Sequence, residues 1–496
     1  MNARTLFLML AVATAHALAQ DESRLHRDFR VEGEALAACK KFDFGSLTSC
    51  GQTLVMGQPM HIAVGSLSPQ NGFGAGLAFV EHKDYANEWR ATWNADAVAT
   101  PNGSWRAGFY MKAYRLGGGT IRPVFPTAGT PVKKTGPLFN AAPLLNFYFQ
   151  AESLNRVDYY GLGPNTTPAT HTTYGFSENI PGMNLILPIA GGLAPLKLSV
   201  DAELDGRFPS VRPGNTTGIP SIGTFFNEAT APGLSTQPAF FEASEGLRIE
   251  PALFSDHIRI NYLMQFQQYA APGNSTYSFR RWNGDFNHQI PLYKLLPGKW
   301  ANLYAPNRAT SAYLQHNGPD DCTGTGSNIS MKWAAKVKES PARPCPIIST
   351  TQKLEGSIAL RAFISEAFAD RGSIVPFYFD PTIGGSDINS NPMLASYPDY
   401  RFRGPDLILF RESVEHSLGK LPIGIAFSAD QGKIGLRRND VNLDNLRYTY
   451  SAGLTVRAGG LPVVYLLFAW GGNEGHHTTA TVSPTLLGGS ARPSLF

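Results

Sequence analysis

Apolar and polar side chains alternate along the segment from Trp89 to Ala99. One face carries tryptophan and alanine side chains, and the opposite face carries Arg90, Thr92, Asn94 and Asp96. Only Val98 departs from the alternation. Because successive side chains of a strand point to opposite faces, this period of two predicts a β-strand with one apolar and one polar face.

The same alternation recurs along most of the chain and predicts sixteen strands. Their approximate ranges are 58–67, 72–82, 87–100, 103–116, 144–155, 174–188, 194–207, 240–253, 256–269, 276–293, 354–368, 402–416, 421–434, 446–458, 461–471 and 476–487. An even number of antiparallel strands is typical of single-chain barrels of the bacterial outer membrane.

The apolar faces of these strands require an apolar environment. A soluble sheet would cover them with a second layer, because large apolar patches are rarely left exposed in a soluble protein. A barrel in a bilayer turns this face to lipid and its polar face to a wet interior. We therefore predict an all-β fold, a transmembrane antiparallel β-barrel over residues 58–487. The alternative is a secreted soluble β-protein, for example an enzyme.

The residues on either side of the predicted barrel indicate export. Arg4, the apolar run from Leu6 to Ala15 and the small residues at Ala17 and Ala19 predict a cleaved signal peptide over residues 1–19. That run is shorter than the ~20 residues of a membrane-spanning helix. Residues 20–57 then form a periplasmic lead-in segment, and residues 488–496 form a C-terminal tail. The expected location is the outer membrane of a Gram-negative type cell envelope.

The lengths of the connections test the strand count. If the first strand rises from the periplasm, the connections that follow odd-numbered strands lie outside the cell. The long polar connections 156–173, 208–239 and 369–401 fit this rule, whereas 117–143 and 294–353 would lie in the periplasm. We interpret 294–353 as a disulfide-containing insert, the alternative being a miscount by one strand.

The mature chain has four cysteines, Cys39, Cys50, Cys322 and Cys345. An even number in an exported chain predicts two disulfides. Pairing Cys39 with Cys50 and Cys322 with Cys345 closes the shortest loops, but three connectivities are open. Neither pair has the CxxC spacing of a zinc site, so we expect no metal.

Composition and the absence of common motifs argue against several classes of function. The formal net charge is +4, which is too near neutral to indicate a nucleic-acid partner. No GxSxG, HExxH or Walker-type segment is present. The acidic side chains between Asp201 and Asp205 fit the lining of a hydrated lumen. We expect no enzyme activity and no cofactor.

Several segments carry a family resemblance. They are Tyr159-Tyr160-Gly161-Leu162-Gly163-Pro164-Asn165, Ile383-Gly384-Gly385, Leu394-Ala395-Ser396-Tyr397, Tyr400-Arg401-Phe402-Arg403-Gly404, Ala426-Phe427-Ser428-Ala429-Asp430-Gln431-Gly432 and Gly453-Leu454-Thr455-Val456-Arg457. These segments resemble the outer-membrane barrel of the bacterial surface antigen family, which includes BamA and TamA. In that family the sixth external loop carries a (V/I/L)RG(F/Y) motif, and a following strand carries an FxDxG motif that points into the lumen.

The resemblance implies a contact between the sixth loop and the lumen. The expected contact residues are Tyr397, Arg401, Arg403, Asp430 and Gly432. Ala395 stands where the family has the loop arginine, so we expect Arg401 or Arg403 to bind Asp430 instead. Residues 20–57 are too short for even one of the family's periplasmic POTRA modules.

The resemblance also implies a function. A barrel of this family would assist the assembly or translocation of outer-membrane proteins. Its partners would be outer-membrane lipid, unfolded outer-membrane proteins or a separate periplasmic protein. The alternative is a barrel without POTRA modules that serves as a channel or as a structural surface protein.

Overall fold

The computed structural model describes most of the predicted barrel. The described residues are 24–37, 59–85, 89–115, 144–189, 196–253, 258–295, 352–418, 422–458 and 461–482, with the single positions 39, 50 and 54. The predicted signal peptide, the 117–143 connection, residues 296–351 of the predicted insert and the C-terminal tail lie outside the described residues.

Sixteen long strands form one antiparallel barrel, as the alternation predicts. They are β1 Met60–Ser66, β2 Phe73–Tyr85, β3 Trp89–Ala99, β4 Trp105–Arg115, β5 Leu144–Tyr159, β6 Thr172–Pro188, β7 Leu198–Pro213, β8 Phe240–Ile249, β9 Ile258–Ala270, β10 Phe279–Leu295, β11 Gln352–Phe368, β12 Asp406–Ser417, β13 Ile423–Gly435, β14 Arg447–Ala458, β15 Leu461–Trp470 and β16 His476–Val482. The short strand Ala252–Leu253 continues the pairing of β8 with β9.

Each strand pairs with the next along the chain, from β1 with β2 through β15 with β16. The first and last strands lie side by side. Within the described residues no backbone ladder joins β1 to β16, so the barrel is nearly closed and has one seam at this position.

The two faces of the wall divide as the sequence predicts. On β3, Trp89 is 39% exposed, whereas the inward-facing Arg90 and Asn94 are each 2% exposed. The other strands repeat this division and carry large apolar side chains on the outer surface, among them Leu77, Phe109, Phe149, Leu204, Phe241, Met264, Trp282, Leu360, Phe427, Leu454 and Leu466. No second layer of described residues covers them.

Aromatic side chains gather on the outer surface near one rim. Phe266 and Trp282 are in contact, with ring centroids 4.7 Å apart, and Phe368 lies beside them. A second group joins Tyr450 to Trp470. Such aromatic bands occur where a membrane barrel crosses the interface between lipid and water.

An α-helix, α1, spans Arg24–Ala37. Its Glu32 carboxylate accepts a hydrogen bond from the backbone N–H of Met60, at the start of β1. In the described part of the chain no helix is both long enough and apolar enough to cross a bilayer. Short 3₁₀ turns lie in the connections at Pro168–Thr170, Ile222–Thr224, Ser275–Tyr277, Phe377–Phe379 and Arg438–Asp440.

The connections that follow odd-numbered strands meet at one end of the barrel. Ser68, between β1 and β2, is hydrogen-bonded through its hydroxyl to the hydroxyl of Tyr400, between β11 and β12. Arg447, at the start of β14, donates to the carbonyl of Pro164, between β5 and β6. Within the described residues these connections build a continuous cap around the segment that joins β11 to β12.

The outward direction of Ala95, in the middle of β3, is testable by charge insertion. Ala95→Arg is expected to lower the free energy of unfolding by roughly 2–4 kcal/mol in lipid, because the guanidinium would face hydrocarbon. The neighbouring Asn94→Ser, on the lumen side, is expected to cost about 1 kcal/mol or less. Reversible unfolding in vesicles measures both. Equal costs would contradict the assignment of the two faces.

Candidate functional site

The segment 369–405 between β11 and β12, which we call loop 6, folds back into the barrel. Two short strands within it, Thr382–Ile383 and Phe402–Arg403, pair with each other and form a hairpin. Most side chains between Phe377 and Phe402 are buried. Loop 6 is therefore a packed element of the lumen rather than a surface connection.

Two glycines allow the chain to turn inside the hairpin. Gly384 and Gly385 have positive φ angles of 114° and 62°. Residues other than glycine rarely adopt a positive φ. A Cβ at Gly384 would collide with the side chain of Arg401, and one at Gly385 with Asp399. The Ile383-Gly384-Gly385 segment is thus fixed by close packing as well as by backbone conformation.

Asp430 attaches the hairpin to the wall. It lies on β13, faces the lumen and is 2% exposed. Arg411 of β12 donates to both carboxylate oxygens, each at 2.6 Å. The backbone N–H of Leu394 in loop 6 donates to the same carboxylate at 3.0 Å. One buried carboxylate therefore joins two barrel strands to the hairpin.

Further contacts extend this attachment along loop 6. The Ser396 N–H donates to the Thr449 hydroxyl at 3.1 Å, and the Ser396 hydroxyl donates to the Gly471 carbonyl at 2.7 Å. Tyr397 packs edge-on against Phe402, with ring centroids 5.2 Å apart. Tyr397 and Phe402 belong to an apolar cluster with Ile383, Met393, Leu394, Leu407, Leu409 and Ile434.

Gly432 lies two residues after Asp430, on the same face of β13. A Cβ at this position would lie 2.9 Å from the carbonyl oxygen of Ile408 and 3.0 Å from the side chain of Leu409. The close approach of β12 therefore leaves no room for a side chain. The structure thus brings Tyr397, Asp430 and Gly432 into one region of the lumen.

The expectation that Arg401 or Arg403 binds Asp430 is wrong. Arg411 stands directly opposite Asp430 in the β12–β13 ladder and occupies the carboxylate. Arg401 instead pairs with Glu474 at 2.6 and 2.8 Å and stacks over Tyr160. The pairing of β12 with β13 places Arg411 beside Asp430. The positions of Arg401 and Arg403 depend instead on how loop 6 folds.

Arg403 has a different role, although it is 1% exposed. Its guanidinium donates to the carbonyl of Phe377 at 2.9 Å and to the hydroxyl of Tyr174 at 3.2 Å. Its backbone carbonyl accepts from the N–H of Gly163 at 2.7 Å. Arg403 therefore connects loop 6 to the Tyr159–Asn165 segment, which carries part of the family resemblance.

The run Phe377–Phe379, which we call the aromatic wedge, fills the outer part of the lumen. Phe377 packs edge-on against Tyr159 and Tyr174, and Phe379 against Phe240. Behind these rings, Arg281 of β10 donates to the Phe379 carbonyl at 2.6 Å. Edge-to-face ring contacts of this kind add stability beyond burial alone.

Sequence reasoning did not identify Arg411, the wedge or Arg281 as parts of the site. A usable signal exists for Arg411, because it shares the inward parity of β12 with Leu407 and Leu409. Three consecutive aromatic residues at Phe377–Phe379, inside an otherwise polar connection, are a second signal. Neither signal gives the partner, since the partners lie on other strands.

The cysteines are distant from this site. The structure joins Cys39 to Cys50, whose Cα atoms are 5.0 Å apart. Cys322 and Cys345 lie outside the described residues, so their pairing stays a prediction. Within the described ranges, no three His, Cys, Asp or Glu side chains are grouped so as to hold a metal ion.

Comparison with known proteins gives similarity in fold only. No family model and no curated protein matches the chain. Among solved structures, the chain is similar to BamA from Haemophilus ducreyi lacking POTRA domains 1–3, at 9% identity and a TM-score of 0.45, over 85% of this chain and 69% of that one. It is also similar to CdiB from Acinetobacter baumannii, at 10% identity and a TM-score of 0.41, and to CdiB from Escherichia coli, at 9% identity and a TM-score of 0.47. These two matches cover 84% and 86% of this chain but only 56% and 62% of the CdiB chains.

The pairing of Asp430 is testable by two double-mutant cycles. Asp430→Asn combined with Arg411→Gln is expected to show a coupling energy of about 1–3 kcal/mol, because the two side chains share two hydrogen bonds. Asp430→Asn combined with Arg401→Ala is expected to be nearly additive, since Arg401 binds Glu474. Unfolding free energies in detergent measure both cycles. Strong coupling only in the Arg401 cycle would contradict the structure.

Asp380 of loop 6 predicts a pH dependence. Burial raises the pKa of its carboxyl to about 8, although Arg281 and Arg403 oppose the rise. The folded state then holds this proton more tightly than the unfolded state, so stability is expected to fall as pH rises from about 4 to 8. Asp380→Asn should flatten this slope in thermal unfolding. An unchanged slope in the variant would contradict the assignment.

Proposed function

We propose that this chain is an outer-membrane β-barrel that assists the insertion or translocation of other proteins. The observation that carries the proposal is the loop-6 hairpin, held inside the lumen by the Asp430 carboxylate. This arrangement joins two sequence features of the resembled family, the sixth loop and the lumen-facing FxDxG-like strand. Loop 6 contacts the Asp430 strand although Ala395 stands where the resembled family has the loop arginine.

Placement in a membrane is supported by the outer surface. Large apolar side chains such as Leu77, Trp282 and Phe427 are each more than 50% exposed. An apolar surface of this extent around a whole barrel would drive a soluble protein to aggregate. In a bilayer the same side chains contact lipid, and the aromatic groups at the rim lie at the interface.

The packing of loop 6 inside the lumen supports this role over that of a general diffusion channel. Barrels of sixteen to eighteen strands that act as porins leave an aqueous channel through the centre. Here the hairpin and the aromatic wedge occupy the outer end of the lumen, within the described residues. The channel alternative therefore requires loop 6 to leave its position.

The seam provides a place where another polypeptide chain would act. Within the described residues, β1 and β16 have seven residues each and no backbone ladder joins them. An edge strand without a partner presents unpaired N–H and C=O groups that can pair with an incoming strand. We infer that the wall opens toward lipid between β1 and β16.

Depletion of the protein followed by quantitative outer-membrane proteomics tests the proposal. We expect other barrel proteins to decrease in the outer membrane and their unfolded forms to accumulate in the periplasm. Restoration by the wild-type gene, but not by Asp430→Asn at equal abundance, would connect the effect to loop 6. Unchanged levels of other barrel proteins after depletion would contradict the proposal.

A further inference from the structure

A base and an acid lie on the outer, apolar surface of the wall, in the middle of their strands. His288 of β10 has the same outward direction as Trp282 and Ile290, and Glu412 of β12 has that of Val414. Both lie at least five residues from either end of their strands. Ionisable groups at membrane depth are rare and normally pair with another polar group, so this position is a candidate contact site.

The other outward acidic or basic groups lie in less costly positions. Within the described strands, only Glu81 and Glu245 also point outward at four or more residues from a strand end. Glu81 accepts a hydrogen bond from the backbone N–H of His82. Glu245 stands opposite Phe266 of the aromatic band, near the interface, where a charged group costs little. The acid and the base on β10 and β12 are therefore exceptional.

These two groups lie on one row of the sheet. Leu360 of β11 pairs with His288 on one side and with Glu412 on the other. Since neighbouring strands are about 4.8 Å apart, the backbones of His288 and Glu412 are roughly 10 Å apart. Leu360 is 45% exposed and separates the two side chains. Within one copy, no hydrogen bond joins them.

Each of the two groups has hydrogen-bonding capacity left. The Nε2 of His288 shares a hydrogen bond with the Tyr262 hydroxyl, which leaves Nδ1 of the ring. Glu412 is exposed and forms no hydrogen bond or ion pair with any described residue. Its neighbours across the strands are Leu360 and Ala429. The hydrocarbon of a bilayer offers no partner to either group, whereas a second polypeptide does.

We propose that this face of the wall, from β10 to β12, is the contact surface between two copies of the chain. A two-fold axis beside Leu360 brings His288 of each copy to Glu412 of the other. In such a symmetric contact the same patch lies on both sides, so it must carry both the acid and the base. Imidazole and carboxyl are complementary, because each can donate or accept. This inference uses the membrane location but not the assembly role proposed above.

The surroundings of the pair suit a contact between two walls. Leu360, Ile290 and Val414 are 39% to 45% exposed around it. Apolar side chains of this kind pack against a second wall as well as against lipid, so they do not select between the two. The two crossed His–Glu pairs supply the preference for protein. A second copy offers them in the required order by symmetry, whereas an unrelated partner would need its own acid and base at matching positions.

The test measures self-association of the full-length protein in lipid vesicles. Copies that carry a donor or an acceptor dye are reconstituted together, and energy transfer is followed as added lipid dilutes the protein. Glu412→His leaves two bases on the patch, and His288→Glu leaves two acids. We expect each variant alone to self-associate about tenfold more weakly than the wild type, or worse, the value of a hydrogen bond to a charged group.

Mixing the two variants is the sharpest arm of the test. A copy with Glu412→His offers two imidazoles and a copy with His288→Glu offers two carboxyls, so the mixed pair regains both contacts. We expect energy transfer between them close to the wild-type level. Glu245→Gln, a matched change on the same outer wall away from the patch, should associate like the wild type. Heat-modifiable migration in gels confirms that each variant folds.

Cross-linking gives a second measurement that keeps the acid and the base intact. Leu360→Cys lies beside the proposed axis, so it should cross-link to its own copy with a short bifunctional maleimide in membranes. Phe149→Cys is a matched control, because Phe149 is 49% exposed on the outer face of β5. We expect a dimer band with Leu360→Cys and none with Phe149→Cys.

The outcomes decide the proposal. Weak association of each variant alone, recovery on mixing and a dimer band only with Leu360→Cys support it. Wild-type protein that stays monomeric at every lipid ratio would overturn it. Association that neither variant weakens would place the contact elsewhere, and a loss that mixing does not restore would exclude the crossed pairs. An equal loss with Glu245→Gln would show a general effect of outer-wall charge. Each of these three results overturns the proposal.

Discussion

The arrangement of the lumen depends on one buried carboxylate, Asp430. An isolated carboxylate is costly to remove from water, so it must be compensated where it lies. Arg411 supplies the opposite charge from the next strand, and the Leu394 N–H supplies a further hydrogen bond from loop 6. The barrel wall thereby creates a site that only a returning loop completes. The position of the hairpin follows from this requirement.

The rest of the cap builds on that attachment. Once loop 6 is inside, Arg401 reaches Glu474 beyond β15, and Arg403 reaches Tyr174 on β6. The aromatic wedge then fills the lumen between β5, β8 and β10. Three separated parts of the wall are joined through one segment, in which most side chains are buried. Among the described residues, the β1–β16 seam is the part of the wall that no backbone ladder closes.

The sequence predicted the wall well and the interior only in part. Strand β3 was expected at 87–100 and lies at 89–99. The agreement is close because an apolar residue at every second position of the sequence marks a strand with one lipid-facing side. The inward direction of Asp430 follows from the same parity. Its partner does not, because Arg411 is placed by the register between β12 and β13, which no local pattern encodes. The partners of Arg401 and Arg403 depend on a hairpin without periodicity, and there the expectation failed. The inward parity of Arg411 and the three consecutive aromatic residues of Phe377–Phe379 are visible in the sequence. Neither feature identifies the residues that these side chains contact.

The position of loop 6 inside the barrel, against the wall at β13 and β14, is the feature on which the rest of the lumen depends. Cysteines at Ser396 and Thr449 test it most directly, because the Ser396 N–H and the Thr449 hydroxyl oxygen are 3.1 Å apart. In intact outer membranes, Ser396→Cys with Thr449→Cys should form a disulfide or react with a short bifunctional maleimide, and neither single variant should. Efficient cross-linking that shifts the mobility of the protein in gels is the predicted result. The absence of any cross-link in folded protein would contradict the account.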